Sequence, residues 1–480
     1  MSIRPTHLLI VCAAALVVAP GCATYREQPV DLAAWDAAWH GRDPFAAPVS
    51  AFAQRLSTRG AALPARIDPA DGLDLAEAEV VALVFNPTLH AARLRAGVAD
   101  ADARTAGRWD DPAFSFSALR AVESVAKPWT LLGGLSLSLP LSGRLGLERE
   151  HAERVVAASR LDVAAQEWAL LAVLRDTWVA WSAAREQHAL AASFAGEADA
   201  LAGIAERLHQ AGELSVIAAR AIRIAALRAG QRSSELDATA QAQELALRAL
   251  LGLAPDAPVT LRPTLTLPAD LRARVDLPSP ATDDPALRAQ LARHQSAEAR
   301  LRLEIRKQYP DLNLGISVED DRGERSLGPS LGFTIPLWNS NVRGIANADA
   351  ERSAIAADLE AAWAAAVHDR AQAQVVLADR TARLDALDRT LVPLVDAQLA
   401  DAKRLAGLGD IDTALLLDVL DTAWRCKSEL IALRAGQAQA ENRLIALALP
   451  GWLVADEQKP DSQKTGPTVE GAQGAEEKTP

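Results

Sequence analysis

The segment Tyr309 to Trp338, YPDLNLGISVEDDRGERSLGPSLGFTIPLW, limits what this chain can fold into, because it reads as a strand hairpin inside a sequence that is otherwise helical almost throughout. Leu312, Leu314, Ile316 and Val318 alternate with Asn313, Gly315, Ser317 and Glu319, and Leu331, Phe333 and Ile335 alternate with Ser330, Gly332 and Thr334. The turn is expected at the charged run Asp320 to Arg325. Arms of about ten residues suit tilted transmembrane strands with an apolar outer face and a polar lumen. A half-buried hairpin of a soluble sheet shows the same alternation.

The pattern occurs twice. Asp111 to Gly143 places Phe114 and Phe116 on one face of a first arm and Leu135, Leu137 and Leu139 on one face of a second, with Ser136 and Ser138 opposite. Around it the register is nearly constant: Pro87 corresponds to Pro285, Pro112 to Pro310, Pro140 to Pro336, and Ala152-Glu153-Arg154 to Ala350-Glu351-Arg352. The chain therefore reads as two tandem structural repeats of helix, strand, strand, long helix, turn and helix.

The expected organisation follows in chain order. Residues 1–21 form a signal peptide: Arg4 and His7, an apolar run from Leu8 to Val18, then Ala19-Pro20-Gly21 before Cys22, a run too short to span a membrane. Small residues leading to a cysteine look like a lipoprotein cleavage box, making Cys22 the lipidated residue, with ordinary signal cleavage as the alternative. Removal of Cys12 and lipidation of Cys22 would leave only Cys426, so no intramolecular disulfide is expected. Residues 22–72 read as an extended arm, and 73–110 as the first helices. The hairpin of residues 111–143 follows, then a long helical hairpin over 144–252 turning at Gly212. Residues 253–283 form a Pro-rich belt. The second copy runs through a helix (284–308), a hairpin (309–339) and a long helical hairpin (340–450), before a polar tail, 451–480. Arg144 to Ala211 lacks proline, which allows a helix of roughly 100 Å at 1.5 Å per residue. The two shorter helices of each copy could stack end to end beside the long one. Pro393 should bend or break the second long helix.

Every Ala/Leu-rich helix carries charges too often to cross a bilayer, so any membrane passage falls to the strands. Four strands cannot close a barrel, and an open edge is not tolerated in lipid. The sheet would have to be shared between chains, and three copies give twelve strands. A net charge of −12, with Arg interleaved among Asp and Glu, argues against a nucleic-acid partner. The eight His residues stand singly, without metal-ligand spacing, phosphate loop or catalytic grouping, so neither a cofactor, a metal nor an enzymatic activity is expected.

Several motifs resemble the TolC-like outer-membrane efflux factors, including the lipoprotein branch serving exporters of the resistance-nodulation-division type. They are LDLAEAEVVALVFNPTLHAARLRAG (Leu73 to Gly97), SLPLSGR (Ser138 to Arg144), RLHQAGELS (Arg207 to Ser215), TIPLWN (Thr334 to Asn339), RLAGLGDID (Arg404 to Asp412) and LLDVLDTAWRCKSEL (Leu416 to Leu430). The resemblance implies a mainly α fold with a transmembrane β-barrel: a homotrimer with a twelve-stranded barrel above a helical periplasmic tunnel, lipid-anchored in the outer membrane. It implies a membrane-fusion adaptor and an inner-membrane pump as partners. Gly212, Glu213 and Leu214, and Gly407, Gly409 and Asp410, correspond to the hairpin tips that meet the adaptor. Asp418 and Asp421 correspond to the carboxylates of a pore gate, with Asp410 and Asp412 as the next candidates. A polypeptide secretion channel and a structural periplasmic coiled-coil lipoprotein remain open alternatives, and the cargo, drug or metal ion, is not specified.

Overall fold

The structure is a computed structural model describing residues 25–61, 71–122, 128–275, 281–321, 324–408, 412–448, 450 and 452. Two compact units divide at Asp43 and Pro44. The first contains α1 (Leu32–His40), whose amino end is capped by the Asp31 carboxylate accepting from Ala33 N and Ala34 N. The second begins with α2 (Ala47–Thr58), started by Pro48 in its first turn and buried through Val49, Ala53 and Leu56. The extended arm read over 22–72 is therefore corrected to one containing two helices. A proline in a first helical turn lacks only an N–H that would have been unpaired anyway.

In α3 (Leu75–Phe85) a capping box closes the first turn, with Asp74 accepting from Glu77 N and Glu77 accepting from Asp74 N. Asn86 caps α4 (Pro87–Thr105), and its Nδ2 donates to Leu250 O at 3.0 Å. The carbonyl it reaches ends α6 (Val216–Leu250), so α6 and α4 abut along α5 (Arg144–Gln210). α5 has 67 residues, about 100 Å of helix, and also packs on α8 (Pro285–Arg306) and α11 (Thr413–Ala446). α4 stops at Thr105, and Gly107 turns the chain at φ +65° where a Cβ would collide with Leu145 O.

The second long helix is divided. α9 (Val342–Ala386) gives way to a π-helical turn, Leu387–Leu391, then to α10 (Val392–Gly407) with Pro393 in its first turn. The interruption thus falls on the turn before Pro393, where the missing N–H and the ring crowd the preceding carbonyls. The principal core joins α2, α3, the middle of α5, the end of α6, the belt and the end of α11, around Trp168, Trp178 and Trp181. The belt is tied by Leu73 N to Thr260 O and by Arg262 N to Leu73 O, both 2.9 Å, and includes the short helix α7 (Ala269–Arg272).

Candidate functional site

β1 (Ala113–Arg120), β2 (Trp129–Leu139), β3 (Leu312–Asp321) and β4 (Glu324–Phe333) form one antiparallel sheet in that order. The two hairpins are joined through β2 and β3, so β1 and β4 are its edges. Cross-strand partners share a face. Phe116 lies opposite Gly133, Gly133 opposite Val318, and Val318 opposite Leu327; the next row is Phe114, Leu135, Ile316 and Pro329. Leu137, Leu314 and Leu331 continue the same face, and Leu139, Leu312 and Phe333 complete it.

The opposite face carries Ser115, Ser117, Ser136, Ser138, Asn313, Ser317, Ser326 and Ser330 with Gly134, Gly315, Gly328 and Gly332. A slip of one residue at any of the three pairings would mix the faces, yet all three preserve the segregation. Phe114, Phe116, Leu327, Leu331 and Phe333 are all more than half exposed, so the apolar face has no cover from this chain. A face this large and apolar is otherwise found against lipid or another chain.

Two readings of the hairpin are corrected. The run Asp320 to Arg325 is not a loop: β3 continues to Asp321 and β4 starts at Glu324, with Arg325 Nε donating to Asp320 Oδ2 at 3.1 Å across the ladder. Thr334 and Ile335 lie beyond the end of β4.

Where the sheet meets the helices, Arg144 gathers three acidic partners: Asp110 at 3.3 Å, Glu148 at 2.8 Å and Asp311 at 3.0 Å. The Asp311 hydrogen bond raises the guanidinium pKa further, offset by burial. At the other junction Asn341, with φ 55°, donates from Nδ2 to Glu304 O and Glu304 Oε2. Each junction ties a strand–helix turn to the opposite side of its hairpin. Only Arg144 falls in a sequence motif; Glu148 lies one turn along its own helix, whereas Asp110 and Asp311 come from the segments that precede β1 and β3.

At the other end of the helices, Gly212 sits at φ +82° in a left-handed cap. Gly212 N donates to His209 O and Glu213 N to Leu208 O, so α5 ends in a Schellman turn. Ser215 then caps α6. The second tip has Gly407 as the last residue of α10, an exposed Leu408, and Asp412, which caps α11 by accepting from Ala414 N and Leu415 N. Gly409, Asp410 and Ile411 lie outside the described residues, as does Cys22. The tips lie side by side: Leu201, Ala205 and Ile222 pack with Ala406 and Leu416, and Lys403 pairs with Glu197 at 2.6 Å.

Asp418 and Asp421 are one turn apart on α11, between the inward residues Leu416, Val419 and Ala423. Asp418 is exposed. Asp421 is paired with Arg425 at 2.6 Å, a partner that reading the carboxylates alone did not include. Among the described residues no group of three or more His, Cys, Asp or Glu side chains is placed to hold a metal ion. No helix among them is long and apolar enough to cross a membrane.

One four-stranded, two-faced sheet is carried on long helical hairpins. Residues 80–253 match the family of outer membrane efflux proteins, the family that the sequence motifs resemble. Among solved structures the chain is similar to CusC, known from crystal structures concerned with folding and transmembrane channel formation, with TM-score 0.67 and 18% identity over 79% of this chain and 93% of that one. It is equally similar to the outer-membrane channel OprN, with TM-score 0.67 and 18% identity over 91% and 99% of the two chains. The Campylobacter jejuni outer membrane channel CmeC gives TM-score 0.65 and 13% identity over 78% and 85%. No curated protein matches.

Proposed function

We propose that this protein is the outer-membrane channel component of a tripartite efflux pump. In this reading three copies, each built of two tandem repeats, close a twelve-stranded barrel continued by a helical tunnel. The conduit is passive and serves small molecules, drugs or metal ions, delivered by an inner-membrane pump through a periplasmic adaptor at the tips around Gly212 and Gly407. The observation that carries the reading is the sheet: one face apolar over the four rows from Phe116 to Phe333, with the charged pair Asp320 and Arg325 only at its far end, the other face Ser/Gly-rich, and both edges open. Backbone groups at β1 and β4 cannot remain unpaired in lipid, and further copies of the same sheet satisfy them.

Asp418 and Asp421 are proposed to line the narrow end, where six carboxylates around one axis would favour cations. The test is planar-bilayer recording of the detergent-purified protein. The wild type is expected to be a trimer that conducts and prefers cations, and the double variant Asp418→Asn, Asp421→Asn to conduct with reduced cation preference and weaker block by multivalent cations. A non-conducting monomer would reject the channel reading; a conducting variant with unchanged selectivity and block would move the gate elsewhere.

Cys22 is proposed to hold the mature chain in the outer membrane through its lipid, since two or more acyl chains give stable attachment. Metabolic labelling with radioactive palmitate should mark the wild type and not Cys22→Ser. Label retained in the variant would remove the anchor from this residue.

A further inference from the structure

No residue of α1 is buried by its own chain, yet the helix has one strongly apolar side. Leu32, Trp35 and Trp39, spaced by three and four, fall together, with Ala34 and Ala37 behind them. Leu32 and Trp35 are more than half exposed, and Trp39 stands edge-on to His40 with ring centroids 5.5 Å apart. Two indoles and a leucine on so short a face have the composition of the centre of a protein interface.

A second uncovered apolar surface lies on the helical body. Leu287 and Leu291 of α8 and Ala356, Leu359 and Trp363 of α9 line a groove of about 410 Å³. Leu291 is 47% and Trp363 53% exposed. Of its polar members, Arg288 is held by Asp283 at 2.7 Å, and Thr282 and Glu360 are exposed. Ala356, Leu359 and Trp363 repeat the spacing of three and four found on α1.

The order of the elements decides which copy of α1 can reach this groove. α4, α5, α8 and α9 pack side by side in that order, so α4 and α9 are the flanks. α4 leads into β1, and β4 leads into α9. Pairing the open β4 edge of one copy with the open β1 edge of the next, as threefold closure requires, therefore sets α9 of the first beside α4 of the second. The levels agree as well. Phe52 of α2 faces the Arg93 guanidinium of α4 at 6.0 Å, and Arg93 holds Glu167, about 35 Å along α5 from the sheet. Trp363 stands about 32 Å along α9 from the sheet. The segment 41–46, which joins α1 to α2, extends over about 20 Å, and packed helices are spaced about 8 to 10 Å apart, so this tether crosses two helices, α9 and then α8 of the neighbour.

We infer that α1 of each copy seats in the α8–α9 groove of its neighbour, with Leu32, Trp35 and Trp39 covering Leu291, Leu359 and Trp363. A small apolar ligand would fill the groove and leave the α1 stripe in water; the neighbour's α1 covers both surfaces at once. This contact rests on the threefold closure proposed above, and adds to it an arm that each copy lends to the next.

The test is cross-linking between two differently tagged chains, one carrying Trp35→Cys and the other Leu359→Cys, produced together and treated after detergent purification with a short bismaleimide. A covalent dimer bearing both tags is expected, and it should be lost when Ala37→Cys, on the back of α1, takes the place of Trp35→Cys. Cys426 is buried, and α1 buries nothing in its own chain, so the substitutions leave the protomer folded. Native mass measurement in detergent reports the closure separately. A trimer without the two-tag band, an equal band from Ala37→Cys, or a cross-link confined to single chains carrying both cysteines would each overturn the docking and leave the channel reading standing; a monomer would overturn both.

Discussion

Ile316→Arg is expected to prevent insertion of the protein into outer-membrane vesicles, whereas Ser317→Arg, one residue along the same strand, should insert and trimerise like the wild type. Both positions are at the middle of β3, but Ile316 shares its row with Leu135 and Pro329 and Ser317 shares its row with Gly134 and Gly328. A charge facing lipid at the bilayer midplane costs about 2 to 4 kcal/mol, and the proposed threefold barrel would carry it three times, for roughly 6 to 12 kcal/mol per particle. The same guanidinium facing a water-filled lumen keeps its hydration. Insertion is read by protection of the strands from protease and by heat-modifiable migration of the trimer. Equal behaviour of the two variants would mean that the two faces are not exposed to different solvents.

The second large effect lies in the helical body. Glu79→Ala should destabilise the chain by about 3 to 5 kcal/mol, because it leaves the Arg175 charge buried without its carboxylate. The side chains of this pair are 1% and 2% exposed, so solvent cannot make up the loss. Replacing both together, Glu79→Leu with Arg175→Met, should cost far less than Glu79→Ala alone, since no buried charge then remains. Denaturant unfolding of the detergent-solubilised variants measures both. A double variant as unstable as the single would show that the packing of Arg175 on Trp168, and not charge pairing, sets the stability of this region.

The strand faces were legible because period two is the simplest signal a sequence can carry, and Leu314, Ile316 and Val318 repeat it without a break. The hairpin turn was misread for the opposite reason. Asp320, Asp321, Glu324 and Arg325 look like loop residues until the cross-strand partner is known, and Asp320 and Arg325 then become a ladder pair. The Arg175–Glu79 pair could not be found by pattern. Its members lie 96 residues apart on helices where charge ordinarily marks a solvated face. The one local sign was the helically spaced Trp168, Trp178 and Trp181 around Arg175. At the tips, Asp412 was readable only as a carboxylate near a turn; the geometry gives it the separate role of helix cap. The helices of the arm are short, and Pro48, a residue that ends helices elsewhere, sits in the first turn of one of them.

The pairing of β2 with β3 also sets an order in which the molecule can assemble. β1 with β2 and β3 with β4 are local hairpins, each closed by a short connection. Leu139 meets Leu312, by contrast, only after α5, α6, the belt and α8 have intervened. Closing so long a loop has an entropic cost that a few ladder hydrogen bonds offset poorly on their own. Docking of α8 along α5 brings those strand ends together first, and Arg144 with Asp311 fastens them at the base. The helices therefore act as a template for the sheet: the β2–β3 pairing that joins the two hairpins is expected to start at this junction, and it leaves β1 and β4 as the edges of the joined sheet.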